Sequence, residues 1–172
     1  MILLRELPQF EAICEVASQF PGADPTAIEA FLALLIVEND LSRAHDKQLA
    51  RHELAHGRWA VLCYLRREGY KIVSPSELAE QGGVSRATIT GLLDGLERDG
   101  YIRRIEDPED RRKTGIEVTK VGQAFVDGIF PDHFQWISKL LSGLTPAERK
   151  TLVELLIKVQ ASIRNSEPLL EA

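Results

Sequence analysis

Cysteine is scarce in this chain of 172 residues: there are two, Cys14 and Cys63. Two thiols without a paired spacing exclude a disulfide framework and a cysteine-based zinc site. Cys63 sits between Leu62 and Tyr64 on a helical pattern and reads as a small core residue. Long apolar runs free of charge are also lacking, as is a basic leader followed by a cleavage site. The chain is therefore expected to be soluble and cytoplasmic, with no membrane partner. No internal repeat or low-complexity segment is evident. Positive charge is in deficit, since 21 Lys and Arg face 26 Asp and Glu for a net charge of -5. That balance is not the basic footprint of a typical nucleic-acid binder.

What is present begins with a core: 44% of residues are hydrophobic, ample for one compact domain or a small one embedded in a helical region. The most informative stretch runs from Val84 to Thr119. Ser85 is placed to cap a helix, and Ile89, Leu92, Leu93 and Leu96 recur behind it at helical spacing. One side is thus buried, while Arg86, Ala87, Thr90, Gly91 and Asp94 form a slim opposite face of the kind a major groove admits. Gly100 stops the helix, and Tyr101 to Ile105 read as a strand. Asp107, Pro108, Glu109 and Asp110 make a turn, Arg111, Arg112 and Lys113 a basic tip, and Ile116 to Val118 a returning strand. Upstream, Ser74 or Ser76 caps a short helix carrying Leu78 and Ala79, and Gly82-Gly83 permit a tight turn, completing a helix-turn-helix with a wing.

The succession of S-x-L-A, VSRATITGLLDGLERDGYIRR, DPEDRR and VTKVGQAF resembles the MarR family of winged helix-turn-helix transcriptional regulators. The resemblance covers roughly Leu54 to the C-terminus, and the joint pattern is far more specific than a helix-turn-helix alone. It implies that Arg86, Thr88 and Thr90 lie on the recognition helix and Asp110, Arg111 and Arg112 on the wing. Gly91 and Gly95 depart from it, standing where many relatives carry longer polar or basic side chains. The first 50 or so residues match only as a generic helical dimerisation region. The expected DNA-contacting set is Ser76, Ser85, Arg86, Ala87, Thr88, Thr90, Arg103, Asp110, Arg111, Arg112 and Lys113. The partner is expected to be double-stranded DNA with a pseudo-palindromic operator.

The charge deficit can coexist with this reading. Val84 to Lys113 holds seven basic and seven acidic residues and is neutral, so the rest of the chain carries the -5. Charge distant from DNA is screened beyond about 8 Å at physiological salt, and affinity depends on the phosphate contacts themselves. Weak non-specific binding is the expected consequence.

Along the chain, Phe10, Ile13, Cys14 and Ala17 suggest a short helix closed by Pro21-Gly22. Asp24-Pro25 opens a second helix, apolar nearly all round from Ala27 to Val37. After Val37 the pattern turns charged up to His56, and Trp59, Leu62, Cys63 and Leu65 restart it until Gly69. Thr119 caps a helix that Pro131 is expected to bend or interrupt. Thr145-Pro146-Ala147-Glu148 is a capping-box start for a last helix. An all-round apolar helix needs cover on several sides. A homodimer interface is therefore expected, using Ile28, Phe31, Leu32 and Leu35 with Leu152, Leu155, Leu156 and Val159.

One motif points elsewhere. His52-Glu53-Leu54-Ala55-His56 matches H-E-x-x-H, which on one helix aims two imidazoles at zinc with glutamate as general base. Glu68, Glu77 and Glu80 are the candidate third ligands. Gly57 is expected to end the helix that would hold the motif, so the plainer reading is a solvated hinge, the alternatives being a regulatory metal or ligand site and, more remotely, a zinc peptidase. His45 would share a face with His52 and His56 on a continuous helix, as a metal- or pH-sensing stripe or as an ordinary polar stripe. Trp59, with Phe125 and Trp136, either packs in the core or lines a pocket; the resemblance implies small, often aromatic or phenolic effectors in that region, making His52, His56 and Trp59 candidate ligand residues. Cys14 is a redox alternative, but no basic residue or tyrosine stands near it to activate a thiolate.

The fold class is mainly α with a small two-stranded β wing: a winged helix-turn-helix over residues 57–119 embedded in a helical dimerisation region formed by 1–56 and 120–172. The function expected is that of a dimeric, sequence-specific DNA-binding transcriptional regulator, modulated by a small-molecule effector, with no catalytic residues, cofactor or bound metal.

Overall fold

A computed structural model describes residues 8–106 and 114–170. The described elements are α1 (Pro8–Ala17), α2 (Pro25–Ala50), α3 (His56–Arg67), α4 (Pro75–Gly82), α5 (Arg86–Arg98), β1 (Ile102–Glu106), β2 (Thr114–Val118), α6 (Lys120–Leu140) and α7 (Pro146–Leu170). No described helix is long and apolar enough to cross a membrane. The chain divides into two compact units, residues 1–123 and 124–172.

In the first unit, α2 starts where Asp24 accepts hydrogen bonds from the amides of Thr26 and Ala27, with Pro25 in the first turn. Those bonds, led by the Thr26 hydroxyl, hold the Asp24 carboxyl below the usual carboxylate range. The helix then runs through the charged stretch after Val37 as far as Ala50, longer than the apolar pattern indicated. Residues such as Glu38, Arg43, Asp46 and Lys47 need no apolar stripe to stay helical when their side chains face water. The helix ends because Leu49 and Leu54 are both buried and the chain must turn between them. The Leu54 amide reaches back to the Leu49 carbonyl at 3.2 Å, with Glu53 left-handed at φ 55°.

The core of this unit gathers Leu62 and Leu65 of α3, Leu78 of α4, Ile89, Leu93 and Leu96 of α5, and Ile102, Ile116 and Val118 of the strands. Strands β1 and β2 pair antiparallel, with Ile102 opposite Val118, Arg103 opposite Glu117 and Arg104 opposite Ile116. Val73, just before α4, adds an isolated antiparallel bridge to Ile116, with both amides bonded. The sequence gives little notice of it, because one buried valine beside Ser74 and Pro75 has no strand periodicity.

In the second unit, Pro131 lies inside α6, which continues to Leu140. Of the expectation that Pro131 bends or interrupts the helix, the interruption is corrected: a single missing amide leaves the flanking turns bonded. At α7 the capping box forms in full. The Thr145 amide donates to Glu148 at 2.7 Å and the Glu148 amide to the Thr145 hydroxyl at 3.3 Å. Leu152, Leu155, Leu156 and Val159 are exposed on this helix.

Candidate nucleic-acid interface

Helices α4 and α5 are joined by a turn in which Gly83 is left-handed at φ 59°, a conformation that suits glycine. Ser74 caps α4 by accepting the Glu77 amide at 3.1 Å, resolving the choice between the two serines; Ser76 stands exposed in the first turn, 2.9 Å from the Ser74 hydroxyl. Ser85 caps α5 by accepting the Thr88 amide at 3.1 Å. With Ile89, Leu93 and Leu96 buried, the exposed face of α5 presents Arg86, Ala87, Thr88, Thr90, Gly91 and Asp94. Packing of the inner face therefore decides which residues face outward.

The hydroxyls on that face are already partly engaged. Thr90 donates to the Arg86 carbonyl at 2.9 Å. While that bond stands Thr90 can only accept, which suits an amino group on a base edge and not a phosphate oxygen. The Ser85 and Thr88 hydroxyls lie 2.8 Å apart, so between them one proton remains to donate outward. The Arg86 guanidinium, by contrast, has no partner among the described residues.

The two glycines of α5 differ. A side chain at Gly91 would meet nothing, so this position belongs to the outward face. Gly95 is buried, and a Cβ there would lie 3.4 Å from the Arg58 side chain, which crosses it to reach Asp99 at 2.5 Å. Gly95 is thus a packing position between α3 and α5, not a groove position.

On the strands, Arg103 is paired with Glu117 directly across the ladder, which raises its pKa. It is the one member of the expected contact set among the described residues whose charge is already matched by an acid. Asp110, Arg111, Arg112 and Lys113 lie outside the described residues. Sequence reasoning also passed over Arg104, which bonds Asp94 and Glu97 of α5, and Gly122. Thr119 caps α6 by accepting the Gly122 amide at 3.0 Å while donating to the Gly100 carbonyl at 2.7 Å. A Cβ on Gly122 would fall on the Tyr101 carbonyl, closer than 3.0 Å. The T-x-x-G run after the strand was the available signal.

The histidine motif does not lie on one helix. His52 and Glu53 fall in the turn after α2, and His56 opens α3; Gly57 sits inside the first turn of α3, where a Cβ would lie 2.9 Å from a Leu92 methyl and push that side chain aside, and so does not terminate a helix. The helical spacing that would converge two imidazoles on a metal is therefore absent. Glu77, one candidate third ligand, accepts from the Tyr64 hydroxyl at 2.9 Å. Among the described residues no three metal-ligating side chains are grouped. The His45 and His56 rings do meet edge to face, 4.9 Å between centroids, although the helix between them is broken. Trp59 is buried at 4% exposure in the first unit, whereas Phe125 and Trp136 belong to the second. Burial pushes the Cys63 thiol up to about 11, in keeping with an inert core residue. Cys14 lies 3.7 Å from the Pro25 carbonyl.

A capped two-helix reader followed by a paired strand hairpin defines a winged helix-turn-helix protein. A model of the MarR family matches residues 54–114. The chain is 35% identical over 153 residues to the HTH-type transcriptional repressor YetL of Bacillus subtilis, covering 89% of this chain and 92% of that one. It belongs to the MarR family, whose members similar to it are helix-turn-helix transcriptional regulators. Its fold matches that of a MarR variant from Escherichia coli solved with operator DNA, at TM-score 0.66 and 26% identity over 74% of this chain and 90% of the other. The Staphylococcus aureus MepR–DNA complex shares the fold at TM-score 0.67 and 21% identity, covering 76% and 95%.

Proposed function

We propose that this protein is a homodimeric, sequence-specific DNA-binding transcriptional regulator that reads a pseudo-palindromic operator through α5 in the major groove. The observation that carries the reading is the outward face of α5, on which Arg86, without a partner among the described residues, stands beside Thr90 and the Ser85–Thr88 pair, backed by a helix face locked into the core. A guanidinium fork matches the O6 and N7 acceptors of guanine, and Thr90 offers an acceptor for a base amino group. Ser76 and the residues Arg111, Arg112 and Lys113 are assigned to phosphate and minor-groove contacts. Residues 57–119 form the DNA-reading domain, and the flanking segments the dimerisation region.

The dimer is supported by apolar surface that a single chain leaves open: Phe31 on α2 is 59% exposed and Leu155 on α7 is 52%. Two-fold pairing covers such surface and sets two recognition helices at matching half-sites. Relatives similar to this chain are named as transcriptional regulators, and the broken histidine motif gives no support to peptidase chemistry. A small effector acting on the dimer can change operator affinity only by binding two arrangements of the reading units differently. The test is footprinting on the DNA flanking the protein's own gene, followed by selection from random DNA. A protected inverted repeat with half-sites about one helical turn apart, or a multiple of it, is expected. Equal affinity for selected and random DNA would overturn the reading.

A further inference from the structure

Strand β1 carries two adjacent arginines with different surroundings. Arg103 pairs across the ladder with Glu117, while Arg104 turns to α5. There its guanidinium bonds Asp94 through Nη2 at 2.7 Å and Glu97 through Nη1, and its own amide donates to the second Glu97 oxygen at 3.0 Å. Glu97 therefore grips Arg104 at both backbone and side chain. Asp94 and Glu97 are three residues apart and share one face of α5. Asp94 belongs to the outward face proposed to enter the groove, so an acid at the edge of the DNA surface is tied to the base of the wing.

We propose that Arg104 is a positioning residue: by clamping Asp94 and Glu97 it fixes the wing against the recognition helix, so that groove and wing contacts are made together, and it does not itself contact DNA. The inference rests on the DNA-reading function above. Three observations separate it from a phosphate contact. The guanidinium is matched by two carboxylates, which leaves the cluster net negative and unattractive to phosphate. Its side chain is 31% exposed, against 65% for Arg103. Its backbone is held by the same carboxylate as its side chain, which fixes the direction in which it leaves the strand. Half-exposed ion pairs contribute little to global stability. What such a fork supplies is orientation, and two elements held in register before binding have less freedom to lose on binding.

The sign of one substitution discriminates the readings. Asp94→Asn removes a negative charge beside DNA, so if Arg104 were a phosphate contact freed by the change, binding would tighten. With the clamp, Asp94→Asn weakens specific binding by about three- to tenfold, Arg104→Gln does so at least as much, and the double variant is no weaker than the worse single one, as expected for partners in one interaction. Arg104→Lys keeps the charge but loses the fork and should behave like Arg104→Gln. Hydroxyl-radical footprints of these variants should lose outer, minor-groove protection before the central major-groove protection. Tighter binding by Asp94→Asn, or wild-type binding by Arg104→Lys beside a weak Arg104→Gln, would overturn the proposal. A readout without DNA keeps the two claims apart: in the free protein, hydrogen exchange of the β1 and β2 amides should speed up in Asp94→Asn while that of the α5 core amides does not. If the unaltered protein fails to prefer any DNA sequence, the functional reading fails. If exchange at the strands is unchanged in Asp94→Asn, the clamp fails.

Discussion

At the scale of single residues, the side chains without internal work are the ones to assign to DNA. Arg58, Arg103 and Arg104 all spend their charge on acids within the chain, whereas Arg86 has no acidic partner among the described residues. Arg86→Ala should therefore cost about 1 to 3 kcal/mol of specific binding and relax preference at one base pair per half-site. Titrations on operator variants check this; equal loss on specific and random DNA would make Arg86 a phosphate clamp instead. Gly122 is the opposite case, a residue with no side chain and a strict requirement. Because a methyl group there would collide with the Tyr101 carbonyl, backbone has to move, and Gly122→Ala should destabilise the first unit by roughly 1 to 3 kcal/mol in urea unfolding. A neutral substitution would show that the start of α6 is free to shift. Outward-facing residues such as Arg86 could be read from the sequence, since helical periodicity divides a helix into two faces. Arg104 could not, because its partners lie across the fold from it, on α5; Gly122 left only the T-x-x-G run as a signal, since the Tyr101 carbonyl that bars a side chain there is distant in sequence.

At the scale of elements, caps were the most legible features and breaks the least. Ser85, Asp24 and the Thr145–Glu148 box all act as their residue types and spacing indicate, because a cap is a local bond between neighbours. The end of α2 was not legible. Nothing between Val37 and His56 marks the stop at Ala50, which is imposed by the burial of Leu49 and Leu54 and costs a left-handed glutamate. That break is also what takes the histidine motif apart. The capping box gives a pH dependence of known sign. The Thr145 amide, then the Thr145 hydroxyl, hold the Glu148 carboxyl below its ordinary value. A carboxylate with a depressed folded pKa stabilises above its unfolded pKa and loses that contribution as pH falls through the folded one. Stability and α7 helicity should thus differ between the unaltered protein and Glu148→Gln near neutrality, and the difference should close in acid below the usual glutamate range. An NMR titration placing the Glu148 midpoint at or above the ordinary glutamate value would contradict the box.

At the scale of the whole molecule, the apolar surface and the charge argue for the same assembly. Leu152, Leu155, Leu156 and Val159 recur at three- and four-residue intervals on α7, between 38% and 52% exposed in a single chain. A soluble protein rarely leaves so continuous a stripe open. The net charge of -5 makes a single reading unit a poor competitor for DNA, since its non-specific attraction is small. Pairing two units addresses both problems, because the second half-site is then met at the high effective concentration set by the first. Leu156→Glu tests this without touching the core around Leu62, Leu93 and Ile116. A carboxylate buried unpaired at the interface is expensive, so the variant should sediment as a monomer at micromolar concentration while the unaltered protein sediments as a dimer. The reading unit should stay folded, with its thermal transition retained. Operator affinity should fall by about a hundredfold or more, the gain that bivalence confers, and the residual binding should no longer depend on the second half-site. An unaltered protein that sediments as a monomer, or a monomeric variant with full operator affinity, would remove the two-fold dimer from this account and leave each winged unit to read DNA alone.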